Sequence, residues 1–200
     1  MGKHSMKMSD SPSCTEIFQT VNARQISALM FHDQMADYFD FLGLMGFKRM
    51  HEYQYLCESA EHRTLKRYYI NHHNKLLVGT EISDPKAVPD DWCKYTRFDV
   101  TGQVRTQAVK AAFDSYRDWE CETKDLYEEC AKALLDMGNI ADFNKLNTLV
   151  CDVDMELKTI DRLYIKLCSV GFNDMYIASI QDELHEHYRE KTKEIGIDIC

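Results

Sequence analysis

The chain contains few of the residues that interrupt helices. Only 3 prolines and 8 glycines occur among its 200 residues, and they fall outside four long intervals, about 15–42, 47–78, 103–137 and 139–170. Proline and glycine are the poorest helix formers, so their scarcity excludes an obvious break within any interval. Each interval is rich in Ala, Leu, Met, Glu, Lys and Gln and predicts one long helix.

Long apolar runs and a hydrophobic leader are also missing. No stretch approaches the 18 or so uncharged apolar residues of a membrane-spanning helix, and residues 1–13 contain Lys, His, Met and Ser but no hydrophobic signal region. We therefore expect a cytoplasmic protein that does not enter the membrane. The eight cysteines include no C-x-x-C pair, which argues against a zinc ribbon or a thioredoxin-like motif.

An excess of positive charge is absent as well. The net charge is −9, and acidic and basic residues are interspersed rather than grouped in blocks. Binding to nucleic acid or to an anionic membrane requires a basic patch, so neither partner is expected. The charge is compatible with the attraction of cations.

The remaining glycines indicate how the helices are connected. Gly43 and Gly46 bracket a tight turn between the first two helices, and Gly138 with Asn139 does the same between the third and fourth. Short turns make antiparallel neighbours, whereas the segment 79–102 is long enough to run the length of a bundle and let helices two and three lie parallel. A weaker, charged fifth helix is expected within 174–194. We predict an all-α, antiparallel four-helix bundle with one long crossover in a single domain, 15–195, with tails at 1–14 and 196–200.

Apolar residues three and four positions apart form a stripe along each of the four helices, and each stripe has polar residues near its middle. Burial of an unpaired charge is costly enough that such a group is paired, protonated or bound to a metal. The interrupting residues are Gln25 and His32 in the first helix, Glu58 and Glu61 in the second, Glu122 in the third and Glu156 in the fourth.

Several short segments, taken in order, resemble segments of ferritins: Arg24–Ile26, Tyr38–Asp40, Phe47–Glu61, Asp90–Trp92 and Glu156–Ile160. The resemblance covers roughly 17–187 and implies a divergent member of the ferritin-like superfamily. By position, it implies that Glu58 is the bridging glutamate of a di-iron ferroxidase centre, and that Glu122 and Glu156 are its ligands from helices three and four.

Two positions depart from the ferritin pattern. Glu61 stands where the family has the histidine of Glu-x-x-His, and Gln25 stands where it has a glutamate. His32 lies where many ferritins have a tyrosine. The resemblance thus implies metal ligands Glu58, Glu61, Glu122, Glu156 and Gln25, with Glu58, Glu122 and His32 taking part in the chemistry.

Two functions follow from this pattern. The first is a ferroxidase that binds iron ions at a di-iron centre and oxidises Fe(II) to Fe(III) for storage or detoxification, with manganese as an alternative metal. The second is a degenerate ferritin-like structural or interaction protein without that chemistry, which Gln25 and Glu61 favour. Apolar residues off the inner stripes, Leu29, Met30, Phe41 and Leu44, predict self-association to a dimer or larger homo-oligomer.

Overall fold

Five α-helices account for most of the chain in the computed structural model, which describes residues 12–78, 81–82, 84–88, 92 and 95–194. No β-strand occurs among these residues. The helices are α1 (Cys14–Phe41), α2 (Met45–His73), α3 (Gly102–Asp136), α4 (Ile140–Ser169) and α5 (Asp174–Glu194), with a short 3-10 turn at Arg97–Asp99. The predicted helices are confirmed to within a few residues at each end.

Local sequence explains where several helices begin and end. Ser13 caps α1, because its hydroxyl accepts from the Glu16 backbone N–H while the Glu16 side chain accepts from the Ser13 N–H. Gly43 and Gly138 follow α1 and α3 with φ angles of 72° and 76°. These angles lie in the left-handed region that favours glycine, so each glycine makes the tight turn that the sequence predicts.

Contacts between helices establish their directions. Along α1, Arg24 reaches Thr123 of α3 while the later Phe39 lies beside the earlier Phe113, so α1 and α3 run in opposite directions. Gln54 of α2 bonds to Tyr116 of α3, and Phe47 packs against Phe113, so α2 and α3 are parallel. The connection between α2 and α3 therefore runs from one end of the bundle to the other, as predicted.

Among the residues that the structure describes, the hydrophobic core forms two separate clusters. Cluster A lies at the end of the bundle that holds the α1–α2 turn and includes Phe39, Phe47 and Phe113. Cluster B lies at the opposite end and includes Phe18 and Leu65. The gap between them falls at the same level on all four helices: between Val21 and Ala28, Met50 and Leu65, Trp119 and Tyr127, and Val153 and Ile160.

Helix α5 lies along the outside of α2. The Gly46 N–H donates to the Gln181 side chain, and Tyr53 packs on Tyr188 with ring centroids 5.4 Å apart. A Cβ atom at Gly46 would lie 1.7 Å from the Gln181 carbonyl oxygen, so only glycine permits this approach. The weak charged helix predicted from the sequence is therefore a packed element of the fold.

One sequence prediction is corrected by the structure, and others concern residues that the structure does not describe. Leu44, expected on an outer face, is buried in cluster A, because the tight turn folds it back under α2. Most of the predicted 1–14 tail, the 196–200 tail and the pair at 90–91 lie outside the described residues. Within the described part of the chain, none of the helices is both long and apolar enough to cross a membrane.

Candidate metal centre

The gap between the two hydrophobic clusters is filled by polar side chains from all four helices. We call the following residues the polar layer: Gln25 from α1, Gln54, Glu58 and Glu61 from α2, Glu120 from α3 and Glu156 from α4, together with His32 of α1, which lies among cluster A residues at the edge of the gap and faces Glu120. On all four helices the inward-facing stripe changes from apolar to polar at the same level. Exposure of single residues to solvent does not explain this coincidence. The layer is a feature of the whole bundle.

His32, Glu120 and Glu156 form the most compact part of the polar layer. Each supplies one ligand atom, and the three atoms lie within 4.8 Å of one another. His32 Nε2 and Glu120 Oε1 face each other at 4.0 Å, and neither has a hydrogen-bond partner. Both residues are buried, and unpaired polar atoms in such a setting are costly. A cation between the two atoms would satisfy both.

A second histidine holds the His32 ring in place. The Nδ1 atoms of His32 and His51 are 3.0 Å apart, so one ring donates to the other. His51 stacks on Phe39 at a centroid distance of 5.4 Å. Burial lowers the pKa of His32 to about 3 and lowers the pKa of His51 as well, so both imidazoles are neutral. When His32 donates from Nδ1, its Nε2 lone pair is free to bind a metal.

Glu156 is oriented by two donors. Its Oε1 accepts hydrogen bonds from the Tyr116 hydroxyl and from the Gln54 amide. Gln54 Nε2 also lies 3.3 Å from Tyr116 Oη, which links the two donors. These bonds leave the second carboxylate oxygen of Glu156 available to a ligand. They oppose the burial that raises the pKa of this carboxyl group.

The carboxyl groups of the polar layer raise one another's pKa values. Burial is the main cause for Glu58 and Glu120, whose pKa values lie well above the usual range, and the neighbouring glutamates add to the shift. The pKa of Glu61 rises to about 7, through burial and then through Asp152 and Glu156. Burial and mutual repulsion therefore favour the protonated forms of Glu58, Glu61 and Glu120 unless cations balance the charge of the layer.

One buried cation borders the layer. Arg24 donates from Nε to Thr123 Oγ1 at 2.8 Å and from Nη2 to the Trp119 carbonyl at 2.7 Å. Its guanidinium lies 3.4 Å from the centre of the Trp119 ring. The charge of Arg24 opposes the rise in the pKa of Glu58, but one positive charge does not balance four carboxylates.

Gln25 also lies in the layer. Its side chain is fully buried, and neither its amide nitrogen nor its amide oxygen has a hydrogen-bond partner. A buried amide without partners is costly, and its oxygen is a donor atom that a hard cation accepts.

The structure brings five of the six residues suggested by the sequence into this layer: Gln25, His32, Glu58, Glu61 and Glu156. Glu122 is not among them. It is exposed, whereas Glu120, which the sequence did not suggest, is 1% exposed and lies beside His32. The face of α3 predicted to be buried is therefore displaced by one residue, or about 100° around the helix axis.

The sequence contained the signal for the correct face of α3. The stripe that contains Glu122 begins with the small residues Ala108, Ala112 and Ser115. Large residues form an equally regular stripe with the same alternation of three and four, and the structure buries them: Val109, Phe113, Tyr116, Glu120, Thr123, Tyr127 and Leu134. Because large side chains remove more apolar surface from water, their stripe determines which face is buried.

Comparison with solved structures identifies the fold. An open-pore ferritin from the hyperthermophilic archaeon Archaeoglobus fulgidus matches with a TM-score of 0.72 at 17% identity, covering 90% of this chain and 98% of that one. A humanized archaeal ferritin matches with a TM-score of 0.71 at 18% identity, over 90% and 98% of the two chains. The fold is ferritin-like.

Sequence comparisons do not extend this result. No protein-family model matches the chain, and no curated protein matches its sequence. The likeness to ferritins therefore lies in the three-dimensional structure, and the role of the polar layer depends on its own geometry.

Proposed function

We propose that the polar layer binds iron and promotes the oxidation of Fe(II). The observation that carries this proposal is the pair of buried, unpartnered atoms His32 Nε2 and Glu120 Oε1, 4.0 Å apart and beside Glu156. Imidazole nitrogen with carboxylate oxygens is a donor set suited to iron, and oxygen-rich sites also accept manganese.

The charge of the layer is consistent with two divalent ions. Glu120, Glu156 and His32 would bind the first ion. Glu58 and Glu61 would bind the second ion. They lie close enough to do so, because each raises the pKa of Glu120 and both are within electrostatic range of Glu156. Four carboxylates then balance four positive charges, and the protons held by the metal-free carboxyl groups are released on binding.

The chemistry is a two-electron oxidation of the bound substrate. Two Fe(II) each lose one electron to dioxygen, which takes up two protons to give hydrogen peroxide and two Fe(III). Solvent supplies the two protons, because the carboxyl groups that hold the iron have already released theirs on binding. Tyr116, Gln54 and His51 act indirectly, since they hold Glu156 and His32 in position.

An entrance to the layer lies beside Glu156. A pocket of about 240 Å³ between α2, α3, α4 and α5 is lined by Gln54, Tyr116, Glu156 and Tyr188, among others. The pocket reaches the residues that orient Glu156. Small molecules such as dioxygen would approach the layer by this route.

The test compares two glutamates on one helix. Anaerobic Fe(II) titration and oxygen consumption are measured for the wild-type protein, E120Q and the matched control E122Q. We expect about two Fe(II) per chain and oxidation faster than in buffer for the wild type and E122Q, with most binding and activity lost in E120Q. Oxidation no faster than in buffer, or equal losses in both variants, would contradict the proposal.

A second function is supported by the raised pKa values. Protonated carboxyl groups can fill the gap without a metal, and Glu156 already accepts two hydrogen bonds. The chain would then be a ferritin-like structural or interaction module. Metal analysis of protein purified without chelators separates the two functions, since this one requires a metal-free layer.

A further inference from the structure

A second group of metal-binding side chains lies at the opposite end of the bundle, beyond cluster B. It joins the start of α1, the end of α2 and the start of α4. Cys14 Sγ lies 3.3 Å from Asp142 Oδ2 and 4.0 Å from His73 Nε2, and His73 Nε2 lies 3.1 Å from Asp142 Oδ1. One ligand atom from each of the three residues lies within 4.8 Å of the other two.

Asp142 is held firmly at the centre of this group. Its side chain is buried, and Oδ1 also accepts a hydrogen bond from Tyr68 Oη at 2.9 Å. His72 Nε2 lies 3.8 Å from the same oxygen, and the His72 ring stacks on Tyr68 with a centroid distance of 5.3 Å. Two histidines from the last turn of α2 therefore point toward one carboxylate.

Hydrogen bonding alone gives a first interpretation of the group. Without a metal, Cys14 donates its thiol proton to Asp142, and burial together with that carboxylate raises the pKa of Cys14 to about 12. A thiol in this state is a poor nucleophile, so the arrangement of cysteine, histidine and aspartate does not indicate a hydrolase. A divalent cation would favour the deprotonated form of Cys14, because it binds the thiolate and displaces the proton.

We propose that Cys14, His73 and Asp142 form a zinc site. In a tetrahedral zinc site, bonds of about 2.0–2.3 Å place neighbouring ligand atoms roughly 3.3–3.6 Å apart. Cys14 Sγ and His73 Nε2 lie 4.0 Å apart, and Asp142 lies 3.3 Å from the first through Oδ2 and 3.1 Å from the second through Oδ1, so the carboxylate would turn slightly to offer one oxygen to the ion. One thiolate, one imidazole and one carboxylate also suit zinc better than a hard cation.

The fourth position belongs to His72 or to water. The His72 side chain is 46% exposed and is near enough to turn toward the ion. Tyr68 remains on Asp142 and orients it, as outer partners of zinc ligands do. Thiolate and carboxylate together neutralise the ion, and the ion would link three chain segments that are otherwise joined by packing and by the hydrogen bonds to Asp142.

This site is independent of the polar layer. Cys14 and His32 are 18 residues apart on α1, which corresponds to about 27 Å along a helix. Cluster B lies between them. Loss of iron oxidation would therefore leave the zinc site unaffected, and the reverse also holds.

Cobalt provides a selective test, because Co²⁺ bound to a thiolate has a charge-transfer absorption band that oxygen ligands do not produce. Co²⁺ is titrated into the wild type, C14S and C57S, where Cys57 is a half-buried cysteine of α2 within electrostatic range of Glu61 and Glu156. We expect one thiolate-bound Co²⁺ per chain in the wild type and C57S, displaced by Zn²⁺, and none in C14S. A wild type without the band, or a band that persists in C14S, would overturn the proposal.

Thermal unfolding supplies a readout that does not depend on colour. With Zn²⁺ about 100-fold above its Kd, binding to the native state should raise the Tm of the wild type by roughly 5–10 °C more than that of C14S. H73Q is a second variant in case C14S folds poorly, and it should lose the same increment. Equal shifts in folded wild type and H73Q would contradict a zinc site at this end of the bundle.

Discussion

Glu120 and Glu122 are two residues apart on α3 and have opposite environments: Glu120 is 1% exposed and faces His32, whereas Glu122 is exposed to solvent. The difference follows from helical geometry, since two residues along a helix correspond to about 200° around its axis. It places Glu120, and not Glu122, in the polar layer. A substitution at Glu122 is therefore a matched control for the same substitution at Glu120.

Replacement of Gln25 by glutamate should have opposite effects with and without metal. A fifth carboxyl group in the layer should lower the stability of metal-free Q25E by roughly 1–3 kcal/mol. The same group adds an anionic ligand, so Q25E should bind Fe(II) or Mn(II) more tightly than the wild type. Urea denaturation and metal titration measure the two effects. Weaker metal binding in Q25E would show that Gln25 lies outside the metal centre.

The stability of the metal-free protein should fall as the pH rises from about 4.5 to 7. The pKa of Glu61 is about 7 in the folded protein, against 4.5 for an ordinary glutamate. The folded state therefore binds more protons than the unfolded state in this range, and its stability decreases as Glu61 ionises. Melting temperatures measured across the range should show this decrease.

Two comparisons identify the cause of that pH dependence. E61Q carries no titratable group at this position, so its melting temperature should fall less steeply than that of the wild type. Addition of Mn(II) near pH 7 should restore much of the lost stability, because the ion binds the ionised layer. A wild-type slope that is unchanged in E61Q would assign the effect to other groups.

Gly46→Ala should destabilise the protein by roughly 1–3 kcal/mol, because the new Cβ atom would overlap the Gln181 backbone and push α5 away from α2. Gly43→Ala is the matched control. Gly43 has a positive φ and open space around it, so alanine there should cost only about 1 kcal/mol of backbone strain. Urea denaturation compares the two. An equal or larger loss in G43A would mean that α5 is loosely attached.

Self-association to a dimer or small oligomer remains a prediction. Met30 is exposed and Leu29 is partly exposed on α1, and apolar surface of this kind favours contact between copies. Helix α5 is densely charged, which disfavours its burial around a symmetry axis in a large cage. Light scattering after size-exclusion chromatography should give a mass of two or a few chains. A mass near that of 24 chains, or that of a single chain, would refute this expectation.

The fold could be predicted from the sequence because its determinants are local. Glycines at 43 and 138 mark the turns, and the helical intervals carry regular apolar stripes. The position of the polar layer along the helices could also be predicted. Gln25, Glu58 and Glu156 interrupt their apolar stripes, and the structure places all three in the gap between the two clusters. Glu120 was missed because two stripes with the same period compete on α3, and packing of the larger side chains decides between them.

The group at the end of the bundle could not be predicted in the same way. Cys14 and His73 are 59 residues apart, and Cys14 and Asp142 are 128 apart. None of the three interrupts an apolar stripe, and no short motif contains them. Their proximity depends on the lengths of α1, α2 and α3 and on where the α3–α4 turn falls. Such a group becomes visible only when the helix ends are placed in three dimensions.

The division of the core into clusters A and B has a consequence for cooperativity. A bundle with one continuous core unfolds as a unit, whereas here each end has its own apolar contacts and the middle depends on the charge state of the layer. Ions in the layer would couple the two ends mechanically. Without them, the ends are joined mainly by helix backbone, so the amides of α1 between Asn22 and Ser27 should exchange with solvent sooner than those on either side.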